Sequence, residues 1–447
     1  MSVLRAAALG LLLLVGQGLP AWASEPLPFV RTQGQHWVTA DGRPVVLKGV
    51  NLGNWLMPEF WMMAQGSQDV DDQCKLEAVL DRRFGRAERE RLFKLFRDHW
   101  ITERDWDLLP RFGLNLVRLP FIWSLIEDED RPRQLRADAW HYLDQALDAA
   151  EARGLYVILD LHGVVGAQGH EHHAGCAGRN QYWSRTDYQE RTAWLWQQIA
   201  ARYKGRSVVA GYSLVNEPWG VAEPEMASVM KQLYTTVRAA DPRHVVILPG
   251  HHTGVAAYGK PAEQGLVNVA FEMHFYPGFF GWGQPGGEVH RQWLRCEPRG
   301  GVCDWAARMA ALDAALFVGE FQPWAGLDVD LGGQITRASY DTYARLGWAS
   351  AAWAYKWVSA EGGPQAANWG LVTNAAGAAV PSIDFNTAAL ADIEALFRRF
   401  GSVPYETHAG VLRWMRAEVP PDPFARQAPR MSGRCLERVW LMVAPLA

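Results

Sequence analysis

Nothing in this chain marks a nucleic-acid or anionic membrane partner. It has no long basic run, and 44 Lys and Arg against 48 Asp and Glu leave a formal charge of -4 with the signs mixed. No Ser-, Gly- or Pro-rich linker divides it, and no solenoid-type repeat recurs. Cysteine is scarce: Cys74, Cys176, Cys296, Cys303 and Cys435 include no CxxC pair, which argues against a zinc or dithiol redox centre. In an exported chain these five permit up to two disulfides with one thiol over, and Cys296 and Cys303 are close enough to clip a single loop. The apolar runs 6–15 and 439–446 are both too short to span a bilayer.

What is present begins with an export pattern. Arg5, the 6–15 run and the small-residue site Ala21-Trp22-Ala23 predict a cleaved signal peptide over 1–23, and hence a secreted or periplasmic protein. The remainder reads as one catalytic domain over 24–403. It is followed by an extension, 404–447, which Pro420, Pro421 and Pro423 keep irregular and which is expected to pack on the outside or to be partly mobile. Tryptophan is abundant, 22 in 447 residues, and flat indole faces suit the apolar faces of sugar rings. A neutral glycan fits this composition better than a charged partner.

Apolar strand-like runs at 45–53, 114–121, 156–163, 208–216, 245–250, 267–276, 315–320 and 350–357 alternate with helical periodicity. Leu143, Ala146, Leu147 and Ala150 mark one helix, and Leu195, Ile199 and Tyr203 another. Gly154 and Gly205 follow as candidate left-handed caps, and a last helix is expected over 387–400. Eight such units predict an α/β fold, a (β/α)8 TIM barrel with elaborated βα loops. Arg118, His162, Asn216, Glu217, His274, Tyr276, Glu320 and Trp353 then fall at or near carboxyl ends of strands, the rim on which such barrels build active sites.

Glu217, in Leu-Val-Asn-Glu-Pro, and Glu320, in Phe-Val-Gly-Glu-Phe, each close an apolar run. Two acids so placed meet the requirement for breaking a glycosidic bond, one to protonate the leaving oxygen and one to attack the sugar. The two need opposite environments: a nucleophile is kept ionised by a guanidinium and a phenol, whereas an acid keeps its proton in a less charged, partly desolvated setting.

On Gly49-Val50-Asn51-Leu52-Gly53-Asn54-Trp55-Leu56, Asn115 to Pro120, Asp160-Leu161-His162-Gly163, Asn216-Glu217-Pro218, His274-Phe275-Tyr276, Gly319-Glu320-Phe321 and Trp353-Ala354-Tyr355-Lys356, the chain resembles glycoside hydrolase family 5, the cellulase family. The resemblance runs over about 33–400 and leans to the exo-β-1,3-glucanase branch. It implies a retaining double displacement with Glu217 as acid/base and Glu320 as nucleophile. Asn216 would bind the sugar 2-hydroxyl, Arg118 and Tyr276 would hold the nucleophile ionised and oriented, and His162 and His274 would line the cleft. Trp353 or Trp357 would lie beneath the sugar, and Asn54 would support the site. No metal and no organic cofactor is expected.

The substrate expectation is a β-linked glucan polysaccharide or oligosaccharide, with endo-β-1,4-glucanase or transglycosylase action as alternatives. A non-catalytic polysaccharide-binding accessory protein is the reading from a different class, and a monomer is expected. The stretch His170-Glu171-His172-His173 with Cys176 offers metal-like ligands at the wrong spacing and reads as loop packing or substrate hydrogen bonding. Asn54, Trp55, Glu59, Phe60 and Trp61 could wall off one end of the cleft or lid helix packing. Of Phe279, Phe280, Trp282, Trp324 and Trp369, two or three are expected to face the groove.

Overall fold

A computed structural model of the chain describes residues 26–67, 69–250, 254–297, 300–363 and 368–424. The expected signal segment 1–23, Cys435 and the 439–446 run lie outside the described residues.

Eight parallel strands close into a barrel: β3 (Lys48–Asn51), β4 (Leu116–Ile122), β5 (Tyr156–Gly163), β6 (Val209–Ser213), β7 (Val245–Pro249), β8 (Val269–Phe275), β9 (Ala315–Phe321) and β10 (Ala349–Ala352). Every expected strand overlaps one of these, and five of the eight ranges enclose it fully, so the (β/α)8 architecture is confirmed. The expected ranges around β3 and β10 run too long because apolar loop segments next to them read as continuations of the strands.

Helices wrap the outside: α1 (Gln73–Phe84), α2 (Arg86–Trp100) and α3 (Glu103–Leu108) before β4, α4 (His141–Glu151), α5 (Thr186–Tyr203) and α6 (Glu223–Ala240) after β4, β5 and β6. α7 (Gly287–Arg295) and α8 (Gly301–Leu312) precede β9, and α9 (Val329–Arg345) precedes β10. α10 (Leu390–Ser402) closes the ring close to the expected 387–400. Among the described residues the β7 to β8 connection carries only short 3₁₀ turns, because Gly259, Pro261 and Gly265 interrupt any longer helix. Gly154 takes the expected left-handed conformation (φ 67°), whereas Gly205 does not, since α5 ends on right-handed Lys204.

Inward positions at the amino-terminal end are apolar: Leu116, Ile158, Ala210, Val245, Ile247, Ala270, Ala315, Phe317, Ala349 and Ala351 form one buried cluster. A hairpin that the sequence reading missed, β1 (Val30–Gln33) with β2 (His36–Thr39), stoppers this end. Its Trp37 is buried in the same cluster and donates its indole N–H to the Leu316 carbonyl at 3.1 Å.

After the barrel, β11 (Val372–Asn374) pairs with β12 (Tyr405–Thr407), and α11 (Ala409–Met415) lies against α9. A Cβ on Gly410 would fall within 1.7 Å of the Val329 carbonyl oxygen, so only glycine permits that approach. Arg337 of α9 donates to the carbonyls of Trp414, Met415 and Ala417, which ties the described part of the extension to the barrel wall.

Two disulfides form. Cys296–Cys303 bridges α7 and α8, as spacing suggested, and Cys74–Cys176 fastens α1 to the loop after β5.

Candidate active site

At the carboxyl end of the barrel the same inward positions turn polar. Strand alternation carries Leu116 to Arg118, Ile158 to Asp160 and His162, and Ala270 to Glu272 and His274. Glu320 is an exception to simple alternation, since Ala315 and Phe317 point inward while Leu316 and Val318 face the helices. A register shift pairs Met273 with Val318 and His274 with Glu320, passing over Gly319. That bulge returns Glu320 to the interior.

Arg118 is fully buried at the centre. Its Nη1 donates to Glu320 Oε1 at 2.9 Å and to Asn51 Oδ1 at 3.0 Å. Its Nη2 donates to Asn216 Oδ1 at 2.8 Å and pairs with Glu272 at 2.9 Å and Asp160 at 3.2 Å. Burial disfavours the guanidinium charge, but Asp160, Glu272 and Glu320 outweigh that and hold it firmly protonated. Tyr276 donates its hydroxyl to Glu320 Oε2 at 2.6 Å, so both oxygens of Glu320 are held by donors.

Glu217 follows β6 with a left-handed φ of 39° ahead of Pro218, strain of about 1–3 kcal/mol that the surrounding contacts must offset. His274 Nδ1 lies 2.7 Å from its Oε1, and His173 Nδ1 lies 3.3 Å from its Oε2. Burial pushes the carboxyl up, but the charge of His173 and the hydrogen bond and charge of His274 win and hold it well below the usual carboxylate range. The setting is desolvated, as expected, yet rich in imidazole charge, which was not expected. For His274 burial works against protonation, but Glu320, Glu217 and Glu272 raise it to about 10.

Asp160 Oδ2 and His162 Nδ1 are 2.6 Å apart, and His162 Nε2 meets the Asn216 amide at 3.2 Å. With Nδ1 donating to Asp160, Nε2 accepts from Asn216 and leaves that amide a second N–H. Buried Gln168, which sequence reading missed, donates to the carbonyls of His162 and Asn216 and joins the ends of two strands. Trp353 stacks on His162 at 5.6 Å and 14°.

These groups line a cleft of about 1180 Å³. Arg118 stands behind its floor; His162, Asn216, Glu217, His274, Tyr276, Glu320 and Trp353 all reach it. Two expectations need correction. Trp357 lies behind the wall and donates to the Trp61 carbonyl at 3.1 Å; the chain turns away after Trp353, so of the two only the earlier tryptophan faces the cleft. Asn54 is buried with a left-handed φ of 64°, and its Oδ1 accepts the Glu59 N–H at 2.6 Å, so it shapes the turn that presents Glu59 and does not face the cleft.

The run after β3 divides between its two readings. Trp55 and Phe60 are core, while Glu59 and Trp61 line the cleft. The Trp61 indole donates to Glu59 Oε2 at 2.8 Å, and His172 Nε2 lies 3.4 Å from the same oxygen. His172 and His173 thus belong to the site through carboxylates, and Cys176 is engaged in its disulfide. Phe280, Trp282 and Trp369 face the groove, whereas Trp324 is buried and Phe279 packs on Trp369. Trp219, Glu272 and Trp305 also line it and were not foreseen. Of these only Glu272 left a signal, two residues before His274 and so on the same strand face.

A family model described as Cellulase (glycosyl hydrolase family 5) matches residues 90–356. The chain is similar to a "Beta-xylosidase" of Phanerodontia chrysosporium, 29% identical over 57% of this chain and 53% of that protein. It is also similar to a "Probable glucan 1,3-beta-glucosidase A" of Aspergillus niger, 28% identical over 60% of this chain and 64% of that protein. The matched part therefore spans between about half and two thirds of these curated relatives. Among solved structures, a rutinosidase from Aspergillus niger aligns with a TM-score of 0.56 at 16% identity, covering 69% of this chain and 89% of that one. An endogalactoceramidase aligns at 0.53 and 17% identity, covering 74% and 76%. At such identities these two speak for the barrel alone.

Proposed function

The chain belongs to glycosyl hydrolase family 5 and is a glycoside hydrolase, and from that premise we propose that it cleaves β-linked glucan chains or oligosaccharides with retention of configuration. The observation that carries this reading is the meeting of its two acids: one oxygen of Glu217, one of Glu320 and a ring nitrogen of His274 lie within 4.8 Å of one another. A short separation leaves room for an anomeric carbon but not for an intervening water, which favours covalent double displacement over single-step inversion.

In the first step Glu320, kept anionic by Arg118 and Tyr276, attacks the anomeric carbon while Glu217 gives a proton to the departing oxygen. In the second, Glu217 takes a proton from water, the resulting hydroxide attacks the anomeric carbon, and the bond to Glu320 breaks with its electron pair returning to the carboxylate. Asn216 supplies its remaining N–H to the sugar, and Trp353 supplies the apolar platform. The non-catalytic alternative finds no support, since both acids and the groups that serve them are in place.

An exo mode of β-1,3-glucanase type is favoured by the closure of one side of the cleft. Glu59, Trp61 and His172 stand together there, braced by the Cys74–Cys176 disulfide. Trp219, packed beside His173 at 6.4 Å, and Trp282 are each 43% exposed and offer stacking faces for a leaving group or an acceptor sugar, which keeps transglycosylation as a second reading. We further assign the protein to an oxidising, extracytoplasmic compartment, supported by its two disulfides. No helix among the described residues is long and apolar enough to cross a membrane. A single catalytic domain over 24–403, acting as a monomer, completes the proposal.

The test is proton NMR of the anomeric signals during hydrolysis of a panel of β-glucans, xylan and mannan. A β-product released first, one sugar at a time from β-1,3-glucan, is the expected result; an α-product first would overturn the mechanism.

A further inference from the structure

Glu272 lies on β8 two residues before His274, only 3% exposed, and the hydrolysis described above gives it no task. Its Oε1 pairs with Arg118 Nη2 at 2.9 Å and faces His274 Nε2 at 3.2 Å, while its Oε2 accepts the Ser213 hydroxyl. On the opposite edge of the ring His274 Nδ1 faces Glu217 Oε1 at 2.7 Å and Glu320 Oε2 at 3.5 Å. One imidazole thus joins a third, deeply set carboxylate to both acids of the reaction.

The neighbouring strand is shaped around this arrangement. A Cβ at Gly319 would fall 1.9 Å from Glu272 Oε1 and 2.8 Å from His274 Nε2, so the bulge that returns Glu320 to the interior also vacates the space that Glu272 occupies.

We propose that Glu272 is a positioning residue that keeps both nitrogens of His274 protonated, so that the proton needed by Glu217 is stored on His274 Nδ1. Glu217, Glu320 and Glu272 face the ring directly. Arg118 and Tyr276 reach it through the last two, and His173 acts on it through Glu217. With acceptors at both edges of the ring and no cation in contact with it among the described residues, imidazolium is the form that satisfies these neighbours. The proton balance closes over one turnover. The Nδ1–H bond breaks as Glu217 gains the proton, which passes to the leaving oxygen; neutral His274 keeps its Nε2–H on Glu272. When Glu217 later takes a proton from water, that proton returns to Nδ1.

This inference rests on Glu217 being the acid/base, so its test reads the ring itself. In ¹⁵N-histidine-labelled protein, with His274 assigned by loss of its signals in His274→Asn, both ring nitrogens are expected to be protonated at pH 7.5. A His274 that is neutral there overturns the proposal whatever the role of Glu217, and this measurement needs no Glu272 variant to fold. Glu272→Gln is expected to weaken His274 proton binding at least tenfold and to move the basic limb of the kcat/KM profile to lower pH with little change in KM, Glu272→Asp restoring part of both. A ring titration and basic limb that stay in place in Glu272→Gln would reduce Glu272 to a packing group. Failure of the acid/base reading would show separately, as a Glu217→Ala variant whose turnover of an aryl glycoside with a good leaving group azide does not restore.

Discussion

The two mouths of this barrel are made by the same strands under the same alternation, yet they differ in almost everything else. At the amino-terminal mouth Leu116, Ile158, Ala270 and Phe317 pack beneath Trp37 as one buried apolar cluster. Two residues further along, the corresponding positions are Arg118, Asp160, Glu272 and Gly319. The lower layer gains from burial of apolar area. The upper layer is tolerable because its charges satisfy one another: removing one member of such a buried set costs about 3–5 kcal/mol when it leaves a charge unpaired. Stability and chemistry are thus separated along each strand by about 7 Å, two residues of rise.

The sharpest way to break that comparison is Glu320→Gln. A loss of activity on the order of 10⁵-fold is expected, with no fall in melting temperature, because Arg118 keeps Asp160 and Glu272 as partners. Calorimetry beside single-turnover kinetics checks both halves; a variant that also melts early would mean that the upper layer carries the fold. Next in size is Glu217→Ala, expected to lose about 10²–10⁴-fold on substrates with poor leaving groups. On an aryl glycoside whose leaving group departs without a proton, azide should restore turnover and yield a β-glycosyl azide, identified by NMR of the product.

Trp37→Ala tests the other mouth. It should destabilise by about 3–5 kcal/mol in urea titrations while leaving kcat/KM of the folded protein unchanged.

The pH dependence of stability should also separate the upper mouth from the helical wall behind it. His274 is raised from 6.5 to about 10, so the folded protein holds a proton there that the unfolded chain lacks. This contribution is complete below pH 6.5 and is lost as pH rises toward 10. Lys356, four residues past the carboxyl end of β10 and buried against the Trp100 and Phe400 carbonyls, is drawn by burial from 10.5 to about 8 and contributes with the opposite sign between those values, stability rising as its penalised charge disappears. Melting temperatures of His274→Asn and Lys356→Met across pH 6 to 10.5 should bend in opposite senses relative to the parent.

The smallest effect distinguishes the two candidate platforms. Trp353→Phe should raise KM by a factor corresponding to about 0.5–1.5 kcal/mol, and Trp357→Phe by less, since it reaches the sugar space only through the Trp61 backbone.

Much of the upper mouth was legible because it obeys short-range rules. Alternation places Arg118, Asp160, His162 and His274 on one face, and apolar runs at regular spacing reveal eight strands. Helices announced themselves by period, as with Leu143, Ala146, Leu147 and Ala150. The failures share a different cause. Asn54 and Trp357 are the right residue types near the right strands, but a left-handed turn and a change of chain direction point them elsewhere. The β1–β2 hairpin is made of short segments whose apolar residues gain meaning only against the barrel bottom. His172 and His173 read as loose loop histidines until the loop, fastened by Cys74–Cys176, brings them to Glu59 and Glu217.

The order of residues was enough to determine the barrel and its eight strands and to single out Glu217 and Glu320 as the proposed pair of acids, since these depend on periodicity and on side chains at the ends of their own strands. Only the folded chain decided that Glu320 faces inward, through the bulge at Gly319, and that Glu217 sits among imidazoles. Register and proton distribution depend on contacts between strands distant in sequence, and a linear string does not carry the distances on which Coulomb interactions and hydrogen bonds depend.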